Sequence, residues 1–249
     1  MDKPKVKPID GHAHLDGLRD LEEDLADARK AGIYAIIGVG MNLSSNQKIM
    51  EIAGKHPGFV FPAIGYHPWE IREGDVDATL SFIEEHIERC VAMGEVGLDY
   101  KVKVKKRLQQ QVLAEIVKLA HRFDKPLILH GRPSYRRIFT MVAEGKVKQA
   151  VFHWYSGPGD LLRDIIAAGY YVSATPALAH SEAHRAAIKA APLERILLET
   201  DCPVAHEGRD SRPSDVFITA RLVADIKAVP ENAVITTTTE SAKAMFSLP

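Results

Sequence analysis

The sequence predicts an α/β protein built as a (β/α)8, or TIM, barrel. Roughly eight strand-helix units alternate from end to end, and the length of 249 residues suits such a barrel. In addition, metal-liking side chains fall at the ends of short apolar runs, where a barrel of this kind collects its active groups.

The units follow one another in order. The first strand is expected over 6–10, followed by a helix over 21–32. Pro8 has no N–H for a ladder, so this strand should be short or irregular. Strands over 33–39, 59–64, 91–96, 126–130, 150–154, 170–174 and 195–200 are apolar or β-branched runs that read as buried parallel strands. Their helices are expected over 44–56, 77–90, 107–123, 134–145, 159–169, 179–190 and 214–228. In the helix over 107–123, Leu108, Val112, Leu113, Ile116, Val117, Leu119, Ala120 and Phe123 form a broad stripe that can pack on a barrel wall. A last segment, 230–248, is expected to add a terminal helix, against the β-branched crowding of its threonine run. One barrel domain over 1–249 accounts for the whole pattern.

The composition narrows the function. Apolar content of 46%, charged content of 26% and a formal net charge of -1 fit a globular protein with no global attraction to nucleic acid or membrane. Any polyanion must be held locally. Cys90 and Cys202 are the only cysteines and form no CxxC pair, which fits reduced thiols in the cytoplasm. The N-terminal MDKPKVKPIDG has no apolar signal core, and no apolar stretch is long enough to span a bilayer.

The chemistry starts at IDGHAHLD, where His12 and His14 are two residues apart and an extended chain puts both imidazoles on one face. Glu95 in MGEVGLDY, His130 in PLILHGR, His153 in VFHWYSG and Asp201 in ILLETDCP follow at the fourth, fifth, sixth and eighth strands. A lone His130 or His153 could be a core histidine bonded to a carbonyl. Glu95 alone could pair with Arg132, and Asp201 alone could cap the next segment. Four imidazoles and two carboxylates on one rim favour a divalent-metal site, and with it a hydrolase.

His67, in AIGYHPW, follows the third strand and is a candidate for supporting the ligands or binding substrate, with a turn as the competing reading. The run from Lys101 to Arg107 should overhang the mouth, so Lys101, Lys103 and Arg132 are candidate phosphate contacts; a solvated loop is the commoner fate of such a run. His56, His86, His121, His180, His184 and His206 lack a strand-end context and read as mostly solvated. Cys202 reads as a small buried neighbour of Asp201. There is no GxSxG elbow and no P-loop, and GVGMNL stops short of a dinucleotide fingerprint.

The motifs DGHAHLD, GYHP, GEVGLDY, QQQ before PLILHGR, VFHWYSG and LLETDCP, in this order over nearly the whole chain, resemble the TatD family of metal-dependent deoxyribonucleases within the amidohydrolase-like barrels. The resemblance implies one ion among His12, His14, Glu95 and Asp201 and another among Glu95, His130 and His153, with Glu95 as the bridge. One segment departs from it: GRDSRPSD stands where the family often has an Arg-Asn-x-Pro type sequence, with Pro213 retained.

The leading expectation is therefore hydrolysis of DNA phosphodiester bonds by a metal-activated water, with Glu95 and Asp201 as the catalytic carboxylates. One or two divalent ions per chain are implied. Zinc, manganese and magnesium are the candidates, and the mixed imidazole and carboxylate donors also suit nickel or iron. DNA is the expected partner, with no membrane and no stable protein partner implied. The same metals acting on a lactone, ester or cyclic amide form the second reading, mildly favoured by the near-neutral charge. A metal-dependent binding protein without catalysis is the third.

Overall fold

The computed structural model describes residues 6–206 and 208–249. The first five residues, where the N-terminal reading above begins, and Glu207 lie outside the described residues. Eight strands form one parallel sheet in sequence order: β1 (Ile9–Ala13), β2 (Ala35–Val39), β3 (Val60–Ile64), β4 (Ala92–Asp99), β5 (Leu127–Arg132), β6 (Ala150–Phe152), β7 (Tyr171–Ala174) and β8 (Ile196–Leu198). The helices between them are α1 (Leu21–Ala31), α2 (Leu43–Lys55), α3 (Val76–His86), α4 (Lys106–Phe123), α5 (Tyr135–Glu144), α6 (Gly159–Ala167) and α7 (Glu182–Ala190), with α8 (Val216–Lys227) and α9 (Glu231–Phe246) after β8. The expected barrel is present, and among the described residues no helix is long and apolar enough to cross a membrane.

The first strand begins after Pro8, which has no donor for a ladder, and its register with β2 shifts between Asp10 and Ala13. β1 and β8 do not form a regular ladder. The seam is closed instead by the chain just beyond β8: Asp201 N donates to His12 O at 3.0 Å and His14 N to Cys202 O at 2.8 Å. Asp10 reinforces the closure, accepting from Thr200 N at 2.9 Å and from Thr200 Oγ1 at 2.6 Å.

Two apolar groups fill the molecule. One lies between sheet and helices and includes Val112, Leu113, Ile116, Val117, Leu119 and Ala120 of α4, with Leu108 and Phe123 packed at its edge. The other gathers Ile9, Ala35, Ala92, Ile128, Val151, Tyr171 and Leu197, all first or second residues of their strands, with Met245 and Phe246 of α9. Along β2, Ala35, Ile37 and Val39 belong to this second group and Ile36 to the first, which is the alternation a strand imposes. The threonine run does form helix: Thr236 and Thr238 bond back to the carbonyls of Asn232 and Val234, satisfying their hydroxyls within α9.

Two expectations are corrected. β4 runs three residues further than 91–96, so Glu95 lies within the strand rather than at its end, and His12 and His130 likewise lie within β1 and β5. Gly97 permits the extension: its φ of 153° carries no side chain, and a Cβ there would sit 2.0 Å from His130 O. Gln109 of α4 then holds the strand end, accepting from Asp99 N and donating to Asp99 O, both at 2.8 Å. The second correction is His184, expected in solvent but fully buried. Its Nδ1–H donates to Tyr155 O at 2.8 Å and its Nε2 accepts from Thr175 N at 3.2 Å, which ties α7 to the loops after β6 and β7.

That buried ring sets a pH dependence of stability. Burial pushes the His184 imidazole down to about 4, whereas an unfolded histidine titrates near about 6.5. As pH falls from 6.5 toward 4 the unfolded chain binds a proton that the folded ring refuses, so stability is lost across that window, by about 3 kcal/mol in full. Urea unfolding of the wild type and of His184→Asn between pH 7 and pH 4 should show the variant's deficit shrinking by that order. Parallel pH curves for the two proteins would refute the assignment.

Candidate metal centre

The irregular end of β1 turns two imidazoles toward one point, with His12 Nε2 and His14 Nε2 3.1 Å apart. His14 Nδ1–H donates to Val39 O at 3.1 Å, so the nitrogen facing His12 is the one left with a lone pair in the neutral ring. Glu95 Oε2 lies 3.4 Å from His12 Nε2 and 3.3 Å from His14 Nε2, and Asp201 Oδ1 lies 3.5 Å from each. Separations of this size suit donors placed about 2.0–2.2 Å from a shared centre, the range for imidazole nitrogen and carboxylate oxygen on zinc.

The other oxygen of Glu95 faces a second set. Glu95 Oε1 is 2.9 Å from His130 Nδ1, 3.5 Å from His67 Nε2 and 3.8 Å from His153 Nε2, while Asp201 Oδ2 is 3.7 Å from His153 Nε2. His153 Nδ1–H donates to Glu199 Oε1 at 2.7 Å, and His130 Nε2–H to Asp99 Oδ2 at 3.2 Å. Each carboxylate fixes the tautomer and leaves the opposite nitrogen to face Glu95, the arrangement typical of metal-bound histidine. His67 differs. Its Nδ1 accepts from Trp69 N at 3.2 Å, so its Nε2 carries the hydrogen and offers a donor rather than a lone pair, even though its distances group it with Glu95 and His130. His12 Nδ1 is buried and has no partner among the described residues.

The charges favour a cation here. Burial opposes protonation of His14, yet Glu95 and Asp201 outweigh it and raise this imidazole to about 9. His12, 3.1 Å away, is kept neutral by burial and by its positive neighbours. His153 is raised to about 10: burial again works against the charge, and Glu199, Asp201 and Glu95 prevail. Burial pushes the Glu95 carboxyl upward, but the surrounding imidazoles, His67 and His153 foremost, hold it well below the usual carboxylate range. The donor set thus fits a divalent ion, which would supply the positive charge that protons on His14 and His153 otherwise provide.

Every sequence candidate for the ligand set reaches this cluster, whereas the substrate candidates divide. A cavity of about 620 Å³ opens over the cluster, and His67 and Arg132 line it with Trp69, Tyr135, Trp154 and Val204. Lys101 and Lys103 do not line it. The chain turns away at Tyr100 and Lys101, whose backbone N–H groups bond Arg132 O and Asp99 Oδ1, so these side chains stand out in solvent. Arg132 pairs with Asp99 at 3.0 Å rather than with Glu95. Cys202 is buried beside Asp201, as expected.

Of the buried carboxylates not singled out from sequence, Asp10, Asp99 and Glu199 lie beside the candidate centre. Each stands within the same short motif as a candidate ligand, two residues before His12, four after Glu95 and two before Asp201. That spacing is the signal that could have found them, since a ligand at a strand end needs an acceptor on the adjoining backbone.

The chain is similar to known proteins over nearly its whole length. The family model for TatD related DNase matches residues 9–247. Deoxyribonuclease TATDN3 of Homo sapiens is 31% identical over 257 residues, covering 96% of this chain and 94% of that protein. YabD of Bacillus subtilis, an uncharacterized metal-dependent hydrolase, is 29% identical over 255 residues, covering 96% and 99%. The crystal structure of YJJV, a TatD homolog from Escherichia coli, has a TM-score of 0.89 at 25% identity and covers 97% of this chain and 98% of its own. The phosphotriesterase homology protein from Escherichia coli shares the fold, with a TM-score of 0.71 at 14% identity over 99% of both chains. With a family match running from the first strand to the last helix, and a rim of imidazoles and carboxylates to go with it, this chain belongs to the TatD family of metal-dependent hydrolases.

Proposed function

We propose that the protein is a divalent-metal-dependent deoxyribonuclease that hydrolyses phosphodiester bonds at this rim. The observation that carries the reading is the division of Glu95: Oε2 faces His12 and His14, and Oε1 faces His130 and His153. Two ions would be held accordingly, one by His12, His14, Glu95 and Asp201 and one by Glu95, His130 and His153. Zinc or manganese suits the mixed donors better than magnesium does. When bound, such ions polarise a phosphoryl oxygen and lower the pKa of a coordinated water.

The chain's own groups then have separate tasks. Asp201, with one oxygen toward each donor set, orients the attacking water and takes its proton. His67 offers its Nε2–H to a non-bridging phosphoryl oxygen. Arg132, half exposed at the cavity wall, pairs with a flanking phosphate. The aromatic wall excludes bulk water and strengthens each of these contacts. We assign the protein to the cytoplasm, because Cys90 and Cys202 are both buried and unbridged.

The decisive experiment is elemental analysis of purified protein, followed by cleavage of end-labelled single- and double-stranded DNA after chelation and reconstitution. Chelated protein should be inactive and zinc or manganese should restore cutting; a lactone and phosphotriester panel should turn over far more slowly. Turnover of that panel with intact DNA would hand the assignment to small esters.

Asp201→Asn should reduce kcat by about 100-fold or more, the usual span for a lost base, with KM changed only a few-fold in metal-loaded protein. Near-normal turnover with metal bound would remove Asp201 from the proton-accepting role. Because phosphates are held locally on a chain of net charge -1, kcat/KM on DNA should fall as salt rises from 50 to 200 mM. A flat salt profile would exclude phosphate contacts as a source of binding.

A further inference from the structure

Trp69 is half exposed, at 49%, and with Val204 and Ile218 it is one of three large apolar side chains left in solvent among the described residues. It lines the cavity. Its ring is not free to fold onto the protein, because Nε1–H donates to Asp99 Oδ2 at 2.7 Å. The imidazoles of His67 and His130 meet it edge-on, with ring centroids 4.7 and 5.8 Å away.

Asp99 Oδ2 also takes His130 Nε2–H at 3.2 Å and forms an ion pair with Arg132 Nε at 3.0 Å. One buried oxygen therefore fixes an aromatic face, a guanidinium and a candidate metal ligand relative to one another. The Arg132 guanidinium carbon lies 5.6 Å from the Trp69 ring centroid, and its terminal nitrogens remain available to an anion. A rigid π-face beside a cation, both at a set distance from a phosphoester-cleaving centre, is the pairing that holds a nucleobase and the phosphate next to it.

We propose that Trp69 is a specificity-determining residue. It stacks the nucleobase adjoining the scissile phosphate, so the enzyme selects phosphoesters that carry a planar aromatic base over those that do not. Asp99 is the positioning residue that aims it. The inference rests on the DNA-cleavage reading for its substrate and not for its geometry.

The test compares kcat and KM on a short single-stranded oligonucleotide with those on the same strand carrying abasic residues on either side of the cleaved bond. Wild type, Trp69→Ala and Trp69→Phe are measured, each with its metal content and melting temperature. The wild type should prefer the base-bearing strand by roughly 5- to 100-fold, mainly through KM. Trp69→Ala should bring that ratio near one with metal content unchanged, and Trp69→Phe, which keeps an aromatic face but loses the bond to Asp99, should keep only part of it. An unchanged ratio in Trp69→Ala, or an equal loss on both strands, overturns the proposal in favour of a packing role against His67 and His130.

A binding arm separates this from the function. Calorimetry on metal-loaded protein compares 2'-deoxyadenosine 5'-phosphate with 2-deoxyribose 5-phosphate. If no oligonucleotide is cut, the deoxyribonuclease reading fails, while a base preference lost in Trp69→Ala still supports the stacking role. Equal affinity of the wild type for the two compounds overturns the proposal whatever the cleavage result.

Discussion

The hydrogen bonds that close the barrel are made by the candidate metal ligands and their immediate neighbours. β1 and β8 share no regular ladder, and the cylinder is completed by His12 O with Asp201 N, His14 N with Cys202 O, and the Asp10 carboxyl with Thr200. Closing the sheet therefore sets the separation of His12, His14 and Asp201 directly. Asp10 is fully buried, and burial raises its carboxyl to about 8, although the bonds from Thr200 and His12 work the other way. A buried carboxyl is unfavourable unless its oxygens are occupied. Here they are occupied across the seam, so an interaction that weakly favours folding strongly favours one register.

Glu95 arrives at the seam from the opposite side, and close approach of backbones makes that possible. A Cβ on Gly65 would sit 2.6 Å from Glu95 O and 2.5 Å from Gly94 C, so β3 and β4 can be this near only where no side chain intervenes. Asn46 of α2 braces Gly65 from behind, donating to its carbonyl at 2.8 Å and accepting from its N–H at 3.0 Å. The carboxylate that faces both donor sets is thus located by packing, not by its own charge interactions. Repulsion among the buried imidazoles cannot spread the cluster without breaking those contacts.

Much of this was legible in the sequence, and what was missed has a common cause. Periodicity and apolar runs located all eight strands and the helix stripe of Val112, Ile116 and Leu119, because burial on a barrel wall imposes those patterns directly. The ligand candidates were legible because imidazoles at successive strand ends are uncommon together. The true end of β4 was not, since it depends on a glycine conformation and on Gln109 reaching from α4 to Asp99. Nor was the burial of His184, whose partners Tyr155 and Thr175 lie in the loops after β6 and β7. Lys101 and Lys103 were placed by their charge, but the loop's direction is decided by backbone bonds to Arg132 and Asp99. Each miss concerns a contact whose partner periodicity does not specify.

Asp99 ties the candidate metal centre to the cavity wall. Burial would raise its carboxyl, yet His130, Trp69 and the Lys101 backbone N–H hold it far below the usual range, so it stays ionised. One of its oxygens orients His130 toward Glu95 and also secures Trp69 and Arg132 on the cavity wall. A carboxylate with that many donors gains rigidity rather than much net stability, because every donor was solvated before folding. The rigidity keeps the wall and the centre in register, and on the proposed function it would allow a chain of nearly zero net charge to hold a polyanion at one point. On the proposed function global attraction is unnecessary, because a fixed guanidinium and a fixed ring beside the phosphate would provide locally what the net charge does not.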